Sequence, residues 1–148
     1  MDFKFHDVPG WATLFALLLK SMPGVEAALA SADLLLPVPL SRLRLKQRGY
    51  NQALVLARAL EPGKTRADML LRIKDSPAQS LLDRAARLNE VKDAFAVDPL
   101  LAAHIRGKKI VLVDDVMTSG ATLYAAARAV RAAGASHICG LVFARTQM

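Results

Sequence analysis

IVLVDDVMTSGAT, residues 110–122, decides how this chain is read. Ile110, Val111, Leu112 and Val113 form an unbroken apolar and largely β-branched run, the pattern of a parallel strand covered on both faces. Two adjacent carboxylates, Asp114 and Asp115, follow at once, and residues 114–120 read as a turn. Residues 122–133 are rich in alanine and stop at Gly134, which predicts a helix with a glycine end. Another apolar run, residues 137–144, predicts a closing strand. Strand, helix, strand in this order implies two parallel strands joined by a helical crossover.

Working outward, residues 33–38 predict a buried strand that ends near Leu36, because Pro37 and Pro39 cannot both lie inside a central strand. The basic stretch SRLRLKQRGYNQ, residues 41–52, reads as a loop, and residues 51–60 as a helix stopped by Glu61, Pro62 and Gly63. Residues 69–73 and 94–97 are short strand candidates, and residues 74–89 form a polar, charged connection. The first 31 residues read as helical, with Trp11, Leu14, Phe15, Leu18 and Leu19 recurring at steps that place them on one face. The predicted class is α/β: a mostly parallel sheet flanked by helices. Residues 1–148 are expected to form a single domain, with 1–31 as a helical N-terminal part and 33–148 as the α/β core.

Composition narrows the function. Hydrophobic residues make up 53% of the 148 and charged ones 22%, which suits a packed globular chain and excludes a disordered one. The apolar stretch 11–19 ends at Lys20, too short to cross a bilayer and without a signal-peptide cleavage pattern, so no membrane insertion and a cytoplasmic location are expected. One cysteine, Cys139, excludes an intrachain disulfide and reads as a buried thiol. His6, His104 and His137 are too scattered for a metal-ligand pattern. A net charge of +7 favours anionic partners, whether small phosphates or nucleic acid.

The loop itself separates these. Thr118, Ser119 and Gly120 lead into the first turn of a helix, where backbone N–H groups and the helix dipole favour a phosphate. Gly120 permits close approach of the backbone, and hydroxyls add hydrogen bonds. Carboxylates beside a phosphate cradle make sense once a sugar lies between them, since ionised Asp accepts the hydrogen bonds that vicinal hydroxyls donate. The loop therefore suits a 5′-phosphorylated ribose. The glycine spacing and terminal Lys-Ser/Thr of a Walker A loop are missing, as is G-x-G-x-x-G. No Asp follows Asp115, which excludes a phospho-accepting receiver domain. A plain helix cap after a strand accounts for the Ser and Thr, but does not require two adjacent acids.

VLVDDVMTSGAT resembles the phosphoribosyl pyrophosphate (PRPP) signature of type I phosphoribosyltransferases. Three further segments resemble the ComF family, the amidophosphoribosyltransferase-like proteins linked to DNA uptake. They are KFHDVPGWATL (4–14), LLPVPLSRLRLKQRGYNQALVLARAL (35–60) and RIKDSPAQSLLDRAARLNEVKDAF (72–95). The resemblance implies that Asp114 and Asp115 hold the ribose hydroxyls, and that Thr118, Ser119, Gly120, Ala121 and Thr122 hold the 5′-phosphate. It places a pyrophosphate loop at Pro39, Leu40, Ser41 and Arg42, with Arg44 and Arg48 close by. Lys74, Gln79, Arg84 and Arg87 would belong to a mobile loop over the site. It further implies Mg²⁺ carried by PRPP near Asp114 and Asp115, with no direct protein metal site. The activity implied is displacement of pyrophosphate from C1 of PRPP by an acceptor, a nitrogen nucleophile.

Two departures qualify the resemblance. Thr118 stands where purine-salvage members carry Asp, and Thr is no general base near pH 7, so hypoxanthine–guanine-type activity is not expected. The family's N-terminal cysteine-rich zinc module is not expected here, since nothing in the chain supplies it. The alternative function is a non-catalytic PRPP-binding or DNA-uptake (competence) accessory, with weak nucleic-acid contact through the basic surface. A homodimer is left open. Catalytic residues and the acceptor are not legible in these residues.

Overall fold

A computed structural model describes residues 9–73, 94–117 and 120–145. Its centre is a three-stranded parallel sheet of β1 (Leu34–Pro37), β4 (Lys109–Met117) and β5 (His137–Arg145), in the order β1-β4-β5. Leu34 pairs with Ile110 and Pro37 with Val113 on one side of β4, and Lys109 pairs with His137 on the other. A second, antiparallel pair joins β2 (Leu70–Arg72) to β3 (Phe95–Val97).

The central strand explains the layers. Side chains alternate across a strand. Ile110 and Leu112 face a cluster with Leu36, Met69, Leu70 and Phe95, and with Ala125, Ala126 and Val130 of the helix α5 (Ala121–Ala132). Val111 and Val113 face the opposite cluster with Leu35. That cluster draws Leu19 from α1 (Gly10–Lys20), Leu29 from α2 (Val25–Ser31), and Leu56, Ala57 and Leu60 from α4 (Gln52–Leu60). Helices thus cover both faces of a mostly parallel sheet. Pro37 is accommodated because β1 is a short terminal strand of this sheet.

Four expectations change. Residues 42–48 form a helix, α3 (Arg42–Arg48), instead of a loop. Ser41 caps it by accepting the Arg44 N–H at 3.2 Å, and Gly49, at φ 82°, ends it in a left-handed conformation that glycine adopts freely. β4 does not turn after Val113. It continues to Met117 because β5 runs beside it, pairing Asp114 with Val142 and Met117 with Arg145. The inner face of α1 is also different: Ala12, Ala16 and Leu19 are buried, while Leu14 and Leu18 are exposed. Small alanines let α1 lie close to its neighbours, and that close approach outweighs the bulkier leucine stripe. Cys139 is half-buried against the α4-side cluster, not enclosed. Among the described residues no single helix is long and apolar enough to cross a membrane.

Candidate functional site

Parallel strands deliver their carboxyl ends to one edge, and both singled-out segments arrive there. The Val38 N–H donates to Val113 O at 2.9 Å, so the turn that follows β1 begins beside Asp114. Asn51 secures that turn to α4: its Nδ2 donates to Val38 O at 3.1 Å and its Oδ1 accepts the Ala53 N–H at 3.0 Å. Asn51 is thus the cap of α4. Pro39 and Leu40 are half-buried in the turn and Ser41 is buried, its hydroxyl engaged by Arg44.

Asp114 and Asp115, as consecutive residues of an extended strand, aim to opposite faces. Asp114 follows Ile110 and Leu112 toward α5. It is half-buried, and its Oδ1 accepts the Asp115 N–H at 2.9 Å. Burial, and after it the adjoining Asp115 carboxyl, push the Asp114 carboxyl up to about 7. Asp115 follows Val111 and Val113 toward α4. There Arg48 Nη1 lies 3.5 Å from its Oδ2 and also donates to Gln52 Oε1. Two identical side chains thus meet at one edge in different electrostatic surroundings.

The helix that begins beyond them starts at Gly120, with φ 81° and no side chain to cap it. Tyr124 is the residue whose N–H reaches back to Gly120 O, at 2.9 Å, and the amides of Ala121 and Thr122 come before it in the first turn. Ala121 is buried and Thr122 half-buried. Glycine at this cap weakens the plain-capping explanation, because a capping hydroxyl is absent from the cap position itself. Thr118 and Ser119 lie outside the described residues, as do Lys74, Gln79, Arg84 and Arg87.

The helical form of residues 42–48 sorts the basic candidates. At 100° per residue, Arg44 and Arg48 share one face of α3, and Arg42 shares the other with Lys46. All four are exposed. Arg48 is brought to Asp115.

Sequence reasoning missed a neighbouring pocket of about 350 Å³. Trp11 and Phe15 of α1, Tyr50, Gln52, Leu56 and Phe143 line it, and Asp115 stands at its edge. Four of the chain's eight aromatic residues therefore meet at this place. Phe15 and Phe143 stack with ring centres 3.8 Å apart and planes 6° from parallel, and Trp11 meets Phe15 edge-on at 5.5 Å. Among the described residues no three His, Cys, Asp or Glu side chains gather in a metal-binding group.

This geometry has counterparts. The phosphoribosyl transferase domain matches residues 45–147. The chain belongs to the phosphoribosyl transferase domain family. It is 31% identical to competence protein F of Haemophilus influenzae over 111 residues, which is 72% of this chain and 47% of that protein. It is 33% identical to competence protein ComFC of Bacillus subtilis over 94 residues, covering 64% of this chain and 36% of the other. The chain thus spans less than half the length of these relatives. Glutamine phosphoribosylpyrophosphate amidotransferase from B. subtilis shares the fold, with a TM-score of 0.53 at 19% identity over 89% of this chain and 25% of that one. The allosteric regulatory enzyme of purine biosynthesis aligns similarly, with a TM-score of 0.52 at 17% identity, over 89% of this chain and 25% of its own. The family and the parallel α/β fold expected from the sequence both hold.

Proposed function

We propose that the chain binds PRPP at the carboxyl edge of its parallel sheet and transfers the phosphoribosyl group to an acceptor nitrogen. One observation carries this reading: two carboxylates among the last residues of the central strand precede a glycine-opened helix terminus. Asp114 and Asp115 accept hydrogen bonds from the ribose hydroxyls. The loop 118–122 receives the 5′-phosphate, and the turn from Pro39 to Arg42, with Arg44 and Arg48 nearby, receives the pyrophosphate. In the transfer, the acceptor nitrogen's lone pair forms a bond to C1. The bond from C1 to the pyrophosphate oxygen breaks, its electron pair leaves with pyrophosphate, and the nitrogen's proton passes to water. Guanidinium groups favour that departure by matching the growing negative charge in forked geometry.

Magnesium fits this site only as a passenger of PRPP, near Asp114 and Asp115. Two carboxylates, one of them held toward its protonated form, are too few for an all-protein cage but suit an ion that keeps its waters. When bound, it supplies positive charge to the leaving group.

Titration calorimetry with PRPP, with and without magnesium, tests the binding, and pyrophosphate release with a panel of nitrogen acceptors tests the transfer. Saturable binding with no release across a broad panel counts against catalysis. The second reading, an accessory of DNA uptake, draws on the names of the competence relatives and on the exposed cations of α3. It predicts binding to single-stranded DNA that weakens steeply with salt.

A further inference from the structure

Arg48 is gripped by one corner of its guanidinium. Its Nη1 donates to Gln52 Oε1 and lies 3.5 Å from Asp115 Oδ2. A guanidinium is a planar fork of N–H donors with no acceptor. Both contacts with the described residues use Nη1, which leaves the edge formed by Nε and Nη2 to meet an anion. Two parallel N–H bonds from that edge match two oxygens of a phosphate.

The grip comes from a firmer element than the one that carries Arg48. α3 has no buried residue, and Arg48 is its last member. Gln52 is the first residue of α4, which buries Ala53, Leu56 and Leu60. The cap of α4, Asn51, is tied to Val38 O, just before the turn from Pro39 to Arg42. Gly49, at φ 82°, turns the chain between the two helices, and the side chains of Arg48 and Gln52 meet across it. One short frame therefore carries the turn, Gln52 and, through Gln52, Arg48. An amide oxygen accepts from the guanidinium without offsetting its charge, as a carboxylate there would. An arginine already held in place also loses less side-chain freedom on meeting a ligand.

We propose that Gln52 is a positioning residue of the transfer: it holds Arg48 by Nη1 so that the Nε–Nη2 edge receives the departing pyrophosphate. The assignment rests on the PRPP reading above and specifies how its leaving group is met.

Calorimetry on the full chain, with magnesium present, compares PRPP with ribose 5-phosphate, which lacks the pyrophosphate. Gln52→Met keeps the length of the side chain and removes the amide oxygen. It is expected to weaken PRPP binding about fivefold and to leave ribose 5-phosphate within about twofold. Added to Arg48→Ala, the same change is expected to cost PRPP nothing further. Arg48→Lys, an exposed substitution that keeps the charge but not the fork, is expected to weaken PRPP by a similar factor, and it decides the matter if Gln52→Met fails to fold. Wild-type PRPP affinity in Arg48→Lys or in Gln52→Met overturns the proposal and leaves the PRPP reading standing. So does an equal loss for both ligands in Gln52→Met, or an undiminished loss from Gln52→Met in the Arg48→Ala background. If ribose 5-phosphate binds too weakly to measure, the PRPP comparison across the single and double variants decides alone. If PRPP does not bind the wild type, the PRPP reading falls and the role of Gln52 with it.

Discussion

The two faces of β4 treat the same side chain differently. Toward α5, Asp114 is half-buried, and burial together with its neighbour pushes its carboxyl up to about 7. Toward α4, Asp115 lies within 3.5 Å of the Arg48 guanidinium. The two carboxyls act on each other and both feel Arg48, yet burial weighs on Asp114 while the close guanidinium contact belongs to Asp115. Environments that separate two like groups in this way are a recurring route to distinct roles within one site. The pair is therefore poised to change protonation when a ligand arrives, while remaining anchored on the Arg48 side.

The largest effect that would break this contrast concerns stability. The folded state raises the Asp114 pKa to about 7, from about 3.9 in an unfolded chain. Between those values the folded protein holds a proton that the unfolded chain has lost. Stability therefore falls as pH rises from about 4 to 7 and levels off above. Asp114→Asn removes this penalty and keeps an oxygen for the Asp115 N–H. The variant is expected to be more stable than the wild type at pH 8, with the gap narrowing as pH falls and closing near pH 4. Urea unfolding at pH 4.5, 6 and 8 measures it, and a gap independent of pH would contradict the unequal surroundings of the two acids.

Next in size is Asp115→Asn, which removes the charged member facing Arg48. PRPP binding should weaken by about 1.5–3 kcal/mol, the worth of charged hydrogen bonds. Calorimetry reads it directly, and an unchanged affinity would remove Asp115 from the ribose site. A third effect sharpens the contrast without touching Asp115. If ribose hydroxyls bind the ionised Asp114, PRPP affinity in the wild type rises with pH up to about 7. The slope approaches about 1.4 kcal/mol per pH unit on the acid side. Asp114→Asn should flatten that slope and leave only the part due to the ligand's own phosphate, which titrates near pH 6. Equal slopes in both proteins would mean that Asp114 stays protonated throughout.

Much of this arrangement was legible in the chain. The central strand, the alanine-rich helix before Gly134 and the closing strand announced themselves through continuous apolar runs with glycine punctuation, and their positions hold to within a few residues at their ends. What escaped depended on contacts between distant segments. Asp114 and Asp115 read as a turn because two acids look polar and loop-like, yet the β5 backbone alongside keeps them extended. The inner face of α1 was misjudged because alanine carries little hydrophobic signal, whereas close helix packing selects for it. Trp11, Tyr50 and Phe143 share a pocket only after α1, the approach to α4 and β5 have been brought together, and no local pattern records that. Arg42, Arg44, Lys46 and Arg48 looked like alternating charges of a loop. The signals that would have exposed their helix were Ser41 before them and Gly49 after them.

That helix supplies the smallest and most discriminating prediction. A loop would let all four cations turn toward a pyrophosphate, while a helix commits them to two faces. Arg48 reaches Asp115, so the face it shares with Arg44 is the one turned toward that carboxylate, while Lys46 lies on the opposite face and Arg42 belongs to the turn at the start of the helix. Exposed charges near an anion contribute little each, of the order of 0.2–1 kcal/mol. Arg44→Ala is accordingly expected to weaken PRPP binding by about 0.5–1 kcal/mol, with the loss shrinking in high salt, and Lys46→Ala to change it by less than about 0.2 kcal/mol. Equal losses at both positions would show that residues 42–48 bind their ligand as a flexible cationic segment. The sidedness argued for α3 would then fail even if that for β4 survived.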